Sequence, residues 1–149
     1  MVPDVNLLVY AVDSGSPFHA RARGWWDGVL SSGSDVGLCY PSILGFLRMT
    51  TNRRVFVSPL AVADALDRVQ SWLDQPNATL LAPTGRHWPI LSDLLRTANV
   101  GANLTTDAHI AAYAIEHAGT VYSNDGDFGR FDGLRWRNPL AATARRPSA

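Results

Sequence analysis

The sequence predicts an α/β domain built on a parallel sheet. Short apolar runs alternate with stretches whose apolar residues recur at spacings of three and four, as expected of strands exchanging with amphipathic helices. At 149 residues and 46% hydrophobic, the chain can bury one substantial core and leaves little room for a second domain. Aspartates directly follow two of the candidate strands, and open α/β sheets place their chemistry at those strand ends.

The elements follow in order. Met1 to Pro3 reads as a first strand, then a helix carries Leu7, Leu8, Tyr10 and Ala11 and breaks at Asp13-Ser14-Gly15-Ser16-Pro17. A second helix runs from about Phe18 through Trp25, Trp26 and Leu30 to Ser31-Ser32-Gly33. Val36 to Tyr40 is the next strand. Pro41 suits the first turn of a following helix, where its missing N–H has no intrahelical partner to lose, and Ile43, Leu44, Leu47 and Arg48 continue the pattern. Thr50 to Val57 reads as a loop. Ser58-Pro59 is expected to cap a helix through Leu60, Ala63, Leu66, Val69 and Trp72 that stops at Gln75-Pro76-Asn77. Ala78 to Leu81 is a third strand, Trp88 to Thr97 a helix, and Asn103 to Ala118 another, with Thr105 or Thr106 as its cap. Thr120 to Tyr122 and Leu134 to Trp136 complete the strands, and 141–149 reads as a loose tail.

Charge and cysteine usage exclude several classes. Thirteen basic and thirteen acidic residues balance to a formal net charge of zero, so any nucleic-acid contact comes from a local patch. Every basic residue is Arg and the only Glu is Glu116, which excludes chemistry that needs a catalytic lysine. Cys39 stands alone, excluding an internal disulfide and a Cys-rich zinc site, and is expected to be a buried core thiol. Neither a signal peptide nor a membrane span is visible, and a cytoplasmic address is the default expectation.

Four aspartates at three places form the main candidate site: Asp4, Asp107, and Asp125 with Asp127 in Ser123-Asn124-Asp125-Gly126-Asp127-Phe128. Asp4 and Asp125 follow strands and Asp107 starts a helix, so one crevice can gather all four. Crowded carboxylates repel, and a hard divalent cation with oxygen ligands removes that penalty. Such an ion acidifies a bound water and stabilises charge on a phosphodiester, which makes backbone hydrolysis the natural reaction. Taken singly, Asp4 also fits a cap or turn, Asp107 a helix-dipole residue, and Asp125-Gly126-Asp127 a polar turn. An EF-hand is excluded, because Trp136 falls where its bidentate Glu would stand. An aspartate-nucleophile phosphatase usually needs a second Asp two positions on and a lysine, whereas this chain has Asn6 and no lysine.

Asp4-Val5-Asn6-Leu7-Leu8-Val9-Tyr10, Thr106-Asp107 before an alanine-rich helix, and Ser123 to Phe128 together resemble the PIN-domain ribonucleases, in particular the VapC toxins of bacterial type II toxin-antitoxin pairs. The resemblance spans nearly the whole chain. Gly45 to Asn52, Arg86-His87-Trp88 and Gly133 to Leu140 resemble a subgroup common in mycobacteria. It implies a three-layer α/β/α domain over 1–140 with a central parallel sheet of about five strands. It also implies Mg²⁺- or Mn²⁺-dependent cleavage of RNA (tRNA, rRNA or mRNA), a VapB-like antitoxin as partner, and a homodimer. By the same resemblance Asp4, Asp107, Asp125 and Asp127 hold the metal, and Asn6, Thr106 and Ser123 orient those ligands or their waters. Many relatives carry a Glu at the end of the second strand. Tyr40 stands there instead, expected to pack or to shape the substrate site without touching metal. A catalytically weakened module that binds RNA or antitoxin is the alternative.

Arg suits bidentate phosphate contact, which makes Arg48, Arg53, Arg130 and Arg137 candidate RNA contacts, with surface charge as the plain alternative. Phe128, Phe131 and Trp136 are candidate stacking platforms or core. His87 and His109 are expected to be structural.

Overall fold

A computed structural model describes residues 1–141 of the chain, so the tail expected at 141–149 lies outside the described residues beyond Ala141. Five short strands, β1 (Val2–Pro3), β2 (Val36–Leu38), β3 (Ala78–Leu80), β4 (Val121–Tyr122) and β5 (Trp136–Arg137), all pair in parallel. Six helices connect them: α1 (Val5–Val12), α2 (His19–Ser31), α3 (Tyr40–Thr50), α4 (Val62–Leu73), α5 (His87–Ala98) and α6 (Leu104–Glu116). A 3₁₀ turn covers Gly126–Arg130.

The expectation of one five-stranded sheet needs correction. The strands form a three-stranded sheet in the order β1-β4-β5 and a separate two-stranded sheet, β2-β3. Length is the reason: β1 has two residues, both committed to β4 through Val2 opposite Val121 and Pro3 opposite Tyr122. Its other edge offers β2 the Met1 carbonyl, which accepts from the Gly37 N–H at 2.7 Å, while the N-terminal ammonium donates to Asp35 O at 2.7 Å. The two sheets therefore abut, and the carboxyl ends of β1, β2 and β4 share one side.

Alternation along the strands sorts the core into two layers. Val2 and Val121 face the apolar cluster of α5 and α6, with Ile110, Ala111, Tyr113 and Phe128. Val36 and Leu38 face the opposite cluster, built from α1 to α4 and containing Leu7, Leu8, Trp26, Phe46 and Trp72. Trp72 meets Phe46 at 4.9 Å and Trp26 at 5.6 Å, both edge-on, and such pairs add about 0.5–1.5 kcal/mol beyond burial. Phe128 and Phe131 are buried, which settles them as core.

Two helix starts differ from expectation. Ser58-Pro59 does not cap α4, which begins at Val62 after Ala61 with no side-chain cap. The Leu60 N–H is drawn back to Thr50 O at 2.8 Å, which holds Ser58 to Leu60 against the end of α3 and postpones the helix. Neither Thr105 nor Thr106 caps α6; Asn103 precedes it and both threonines lie inside its first turn. Gly45 permits the close approach of α3 to α1, because a Cβ there would lie 2.5 Å from Val5 Cγ2. Among the described residues no helix is long and apolar enough to cross a membrane.

Candidate active site

The site grows from the junction of β1, β4 and α6. Asp4 follows β1, its N–H bound to Tyr122 O at 2.9 Å, and its carboxylate N-caps α1 by accepting from the Val5 N–H at 2.7 Å. The other oxygen of Asp4 accepts from the Ser123 hydroxyl at 2.6 Å. Ser123 follows β4 and is fully buried. Its oxygen also accepts from Asn6 Nδ2 at 3.2 Å and from the Asp125 N–H at 2.9 Å, so one hydroxyl uses its single donor and both acceptor sites. Asn6 Oδ1 in turn accepts from the Asn124 N–H at 3.4 Å. Together Asn6 and Ser123 lock the start of α1 to the loop that carries Asp125.

Asp125 caps the 3₁₀ turn that carries Asp127, its Oδ1 accepting from the Asp127 N–H at 2.9 Å. Asp127 Oδ1 accepts from Arg130 Nε at 2.9 Å across an exposed pair, so Arg130 is paired with an acid in this arrangement. Asp107, in the first turn of α6, accepts no hydrogen bond from the described residues.

The four acids share one electrostatic field. Burial pushes the Asp107 carboxyl up to about 7, reinforced by the charges of Asp4, Asp125 and Asp127. Burial likewise raises Asp4, opposed by its bonds from Ser123 and Val5 and helped by Asp125. Among the described residues, however, no group of three His, Cys, Asp or Glu is arranged as it stands to hold a metal ion. In this arrangement both Asp4 oxygens, one of Asp125 and one of Asp127 accept hydrogen bonds. Chemically the residues still fit a hard divalent cation, since every donor is oxygen and the crowding that raises Asp107 is what such a charge relieves.

The remaining candidates separate. Thr106 is exposed and takes no part in the Asp4–Ser123–Asn6 network; it lines a small cleft with Arg48. Arg48, Arg53 and Arg137 are exposed. Tyr40, the first residue of α3, is 49% exposed, so packing does not explain it. Cys39 is buried as expected, its thiol pushed up by burial.

Sequence reasoning missed two supports. The buried Ser42 hydroxyl donates to Pro3 O at 2.7 Å and pins α3 beside the end of β1, one residue before Asp4. Asn138 Nδ2 donates to Asn124 Oδ1 at 2.9 Å and braces the acidic loop from beyond β5. Each is one polar residue whose partner lies far along the chain or across a turn, and no local pattern marks it.

A family model described as the PIN domain matches residues 1–134. The chain belongs to the PIN-domain family. It is 45% identical over 140 residues to Ribonuclease VapC33 of Mycobacterium tuberculosis (strain ATCC 25618 / H37Rv), covering 94% of this chain and 98% of that protein. Among solved structures, VapBC2 from Rickettsia felis bound to a DNA fragment from its promoter gives a TM-score of 0.66 at 13% identity, covering 92% of this chain and 96% of that one. Mycobacterium tuberculosis VapC20, described as a sarcin-ricin loop cleaving toxin, gives 0.64 at 17% identity, covering 90% and 98%. The PIN assignment agrees with the α/β architecture and with acids gathered at the carboxyl ends of β1 and β4.

Proposed function

We propose that this PIN protein is a Mg²⁺- or Mn²⁺-dependent endoribonuclease, the toxin of a type II toxin-antitoxin pair, neutralised by a VapB-like antitoxin in the cytoplasm. The observation that carries the reading is the crowding of Asp107 by Asp4, Asp125 and Asp127 in a chain with a 45% identical ribonuclease relative. The four carboxylates hold the cation. In such a site a divalent ion supplies charge against a phosphodiester and an acidified water.

The protein's own groups do the positioning. Ser123 and Asn6 hold the Asp4 carboxylate and the Asp125 backbone in fixed relation, so binding costs little reorganisation on that side. Asp107, with no hydrogen bond to give up, is the acid freest to turn toward a ligand. Asp127 is released when Arg130 turns from it to an RNA phosphate, and Arg48, Arg53 and Arg137 contact the flanking strand. The substrate is a structured RNA (tRNA, rRNA or mRNA), as a relative described as cleaving the sarcin-ricin loop suggests.

The antitoxin and a second copy of the chain are the proposed protein partners. A neighbour solved as a VapBC complex supports the first. Val57, Val62 and Leu66 are exposed on the α3–α4 connection and α4, an apolar surface beside a cleft of 530 Å³ that suits an antitoxin segment. A second reading, a weakened module that binds without cutting, is favoured by Tyr40 in the place of a carboxylate and by the hydrogen bonds that occupy the acids.

Cleavage separates the two. Antitoxin-free protein is incubated with tRNA and rRNA fragments in Mn²⁺, with and without chelator, beside Asp4→Asn and Asp107→Asn. Defined cuts that chelation removes and that each variant reduces by about 100-fold or more support the nuclease. Equal RNA binding by all three proteins with no cutting supports the module instead.

A further inference from the structure

We propose that the cleft between α3 and α6 is the subsite for one unpaired RNA base beside the engaged phosphate, with His109 and Thr106 reading its edge. The inference rests on the ribonuclease reading and names a specificity element that the acidic residues do not supply.

Position comes first. The cleft, 170 Å³ in volume, is lined by Pro41, Leu44, Gly45, Arg48, Thr106 and His109. Thr106 and His109 flank Asp107 on α6, and Gly45 packs against Val5, the residue after Asp4. The Ser42–Pro3 bond fixes α3 beside β1, so the cleft and the acids belong to one rigid frame.

Its chemistry fits a base. Pro41 and Leu44 give it apolar surface, with Leu44 58% exposed. Neither the Thr106 hydroxyl nor either His109 nitrogen bonds to any described residue; Thr106 is exposed and His109 half-buried. These donors and acceptors therefore face solvent and are free for a base edge. Arg48 at the rim is an exposed cation outside every ion pair of the described residues and suits the adjoining phosphate.

His109 is also held ready. Its ring lies 5.0 Å from that of His87 and 5.3 Å from that of Tyr113, and His87 is anchored by Glu116 at 2.6 Å. Glu116 is in turn bound by the Thr84 hydroxyl at 2.7 Å and the Thr84 N–H at 3.0 Å. A reading side chain mounted on this stack loses little freedom on binding. At 170 Å³ the cleft has room for one base and not for a base pair, so a base already paired in a duplex is excluded and the occupant is single-stranded RNA.

The test compares wild type with Leu44→Asp, Thr106→Val, His109→Ala and His109→Gln. Cut sites are mapped on a mixed pool of single-stranded RNA in Mn²⁺, and RNA affinity is measured by anisotropy in EDTA, where nothing is cut. The expected result is a base preference at one position beside the cut, flattened by about tenfold in Thr106→Val and His109→Ala and partly restored in His109→Gln. Leu44→Asp, at a side chain 58% exposed, lowers affinity by about tenfold whatever the base. Cutting with unchanged preference and affinity in Leu44→Asp, Thr106→Val and His109→Ala overturns the subsite and leaves the nuclease standing. Base-dependent binding that His109→Ala abolishes, with no cutting by wild type, keeps the subsite and sinks the nuclease. Variants that lose antitoxin affinity but keep wild-type RNA selection assign the cleft to the antitoxin and also overturn the inference.

Discussion

Replacing Ser123 by alanine removes the hydroxyl on which the acidic site is hung. Three hydrogen bonds go with it: the donation to Asp4 at 2.6 Å and the acceptances from Asn6 at 3.2 Å and the Asp125 N–H at 2.9 Å. The bond to the Asp4 carboxylate, counted as one to a charged group, contributes about 1.5–3 kcal/mol. The two orphaned donors are only partly buried, so water recovers most of their loss and the total is about 2–4 kcal/mol. With an m-value of about 2 kcal/mol/M, the urea midpoint at neutral pH falls by about 1–2 M, read by far-UV circular dichroism. Asn6→Ala costs less in the Ser123→Ala background than alone, because its 3.2 Å bond to Ser123 is already gone and only the longer 3.4 Å bond from the Asn124 N–H remains to be lost. A midpoint shift below about 0.3 M, or costs of the two changes that simply add, refutes the hub.

Two other outcomes follow from the same geometry. Asp107 titrates in the folded protein at about 7, above its ordinary 3.8, so the native state holds this proton more tightly than the unfolded chain does. Its contribution to stability is full below about pH 4 and is lost as pH rises through 7. In EDTA, the fall in urea midpoint between about pH 5 and about pH 8 is therefore smaller in Asp107→Asn than in wild type, and equal falls contradict the crowding. Gly45→Ala places a methyl 2.5 Å from Val5 Cγ2 and destabilises by about 1–3 kcal/mol. Thermal unfolding then shifts down by about 3–9 °C and recovers when Val5→Ala is added; an unchanged midpoint refutes the close approach of α1 and α3.

Local patterning made much of the fold legible. The helical spacing of Leu7, Leu8 and Ala11 requires an apolar face whichever partner covers it, and α1 lies where the periodicity places it. In α4 the expected stripe holds at Val69 and Trp72, whereas Ala63 and Leu66 are exposed and Ala65 is buried instead. The acids were legible because strand-end aspartates are chemically conspicuous. What stayed hidden depends on contacts distant in sequence. Ser42 reaches Pro3 across 39 residues and His87 reaches Glu116 across 29, so neither is visible as more than a lone polar residue in its own helix. Glu116, conspicuous as the only Glu, lies away from the acidic site and is spent on Thr84 and His87. Their bonds outweigh burial and hold its carboxyl below the ordinary Glu value. The split sheet was illegible for a similar reason: whether β1 can ladder on both edges depends on a length of two residues, which apolar patterning does not set.

The central claim is that Asp4, Asp107, Asp125 and Asp127 form one divalent-cation site. Isothermal titration of Mn²⁺ into antitoxin-free wild type and Asp107→Asn, each shown to be folded, measures this directly. Wild type is expected to bind saturably, and binding weakens by about tenfold or more in the variant, as follows when a ligating carboxylate is lost. Equal affinities, or no saturable binding by wild type, would contradict it.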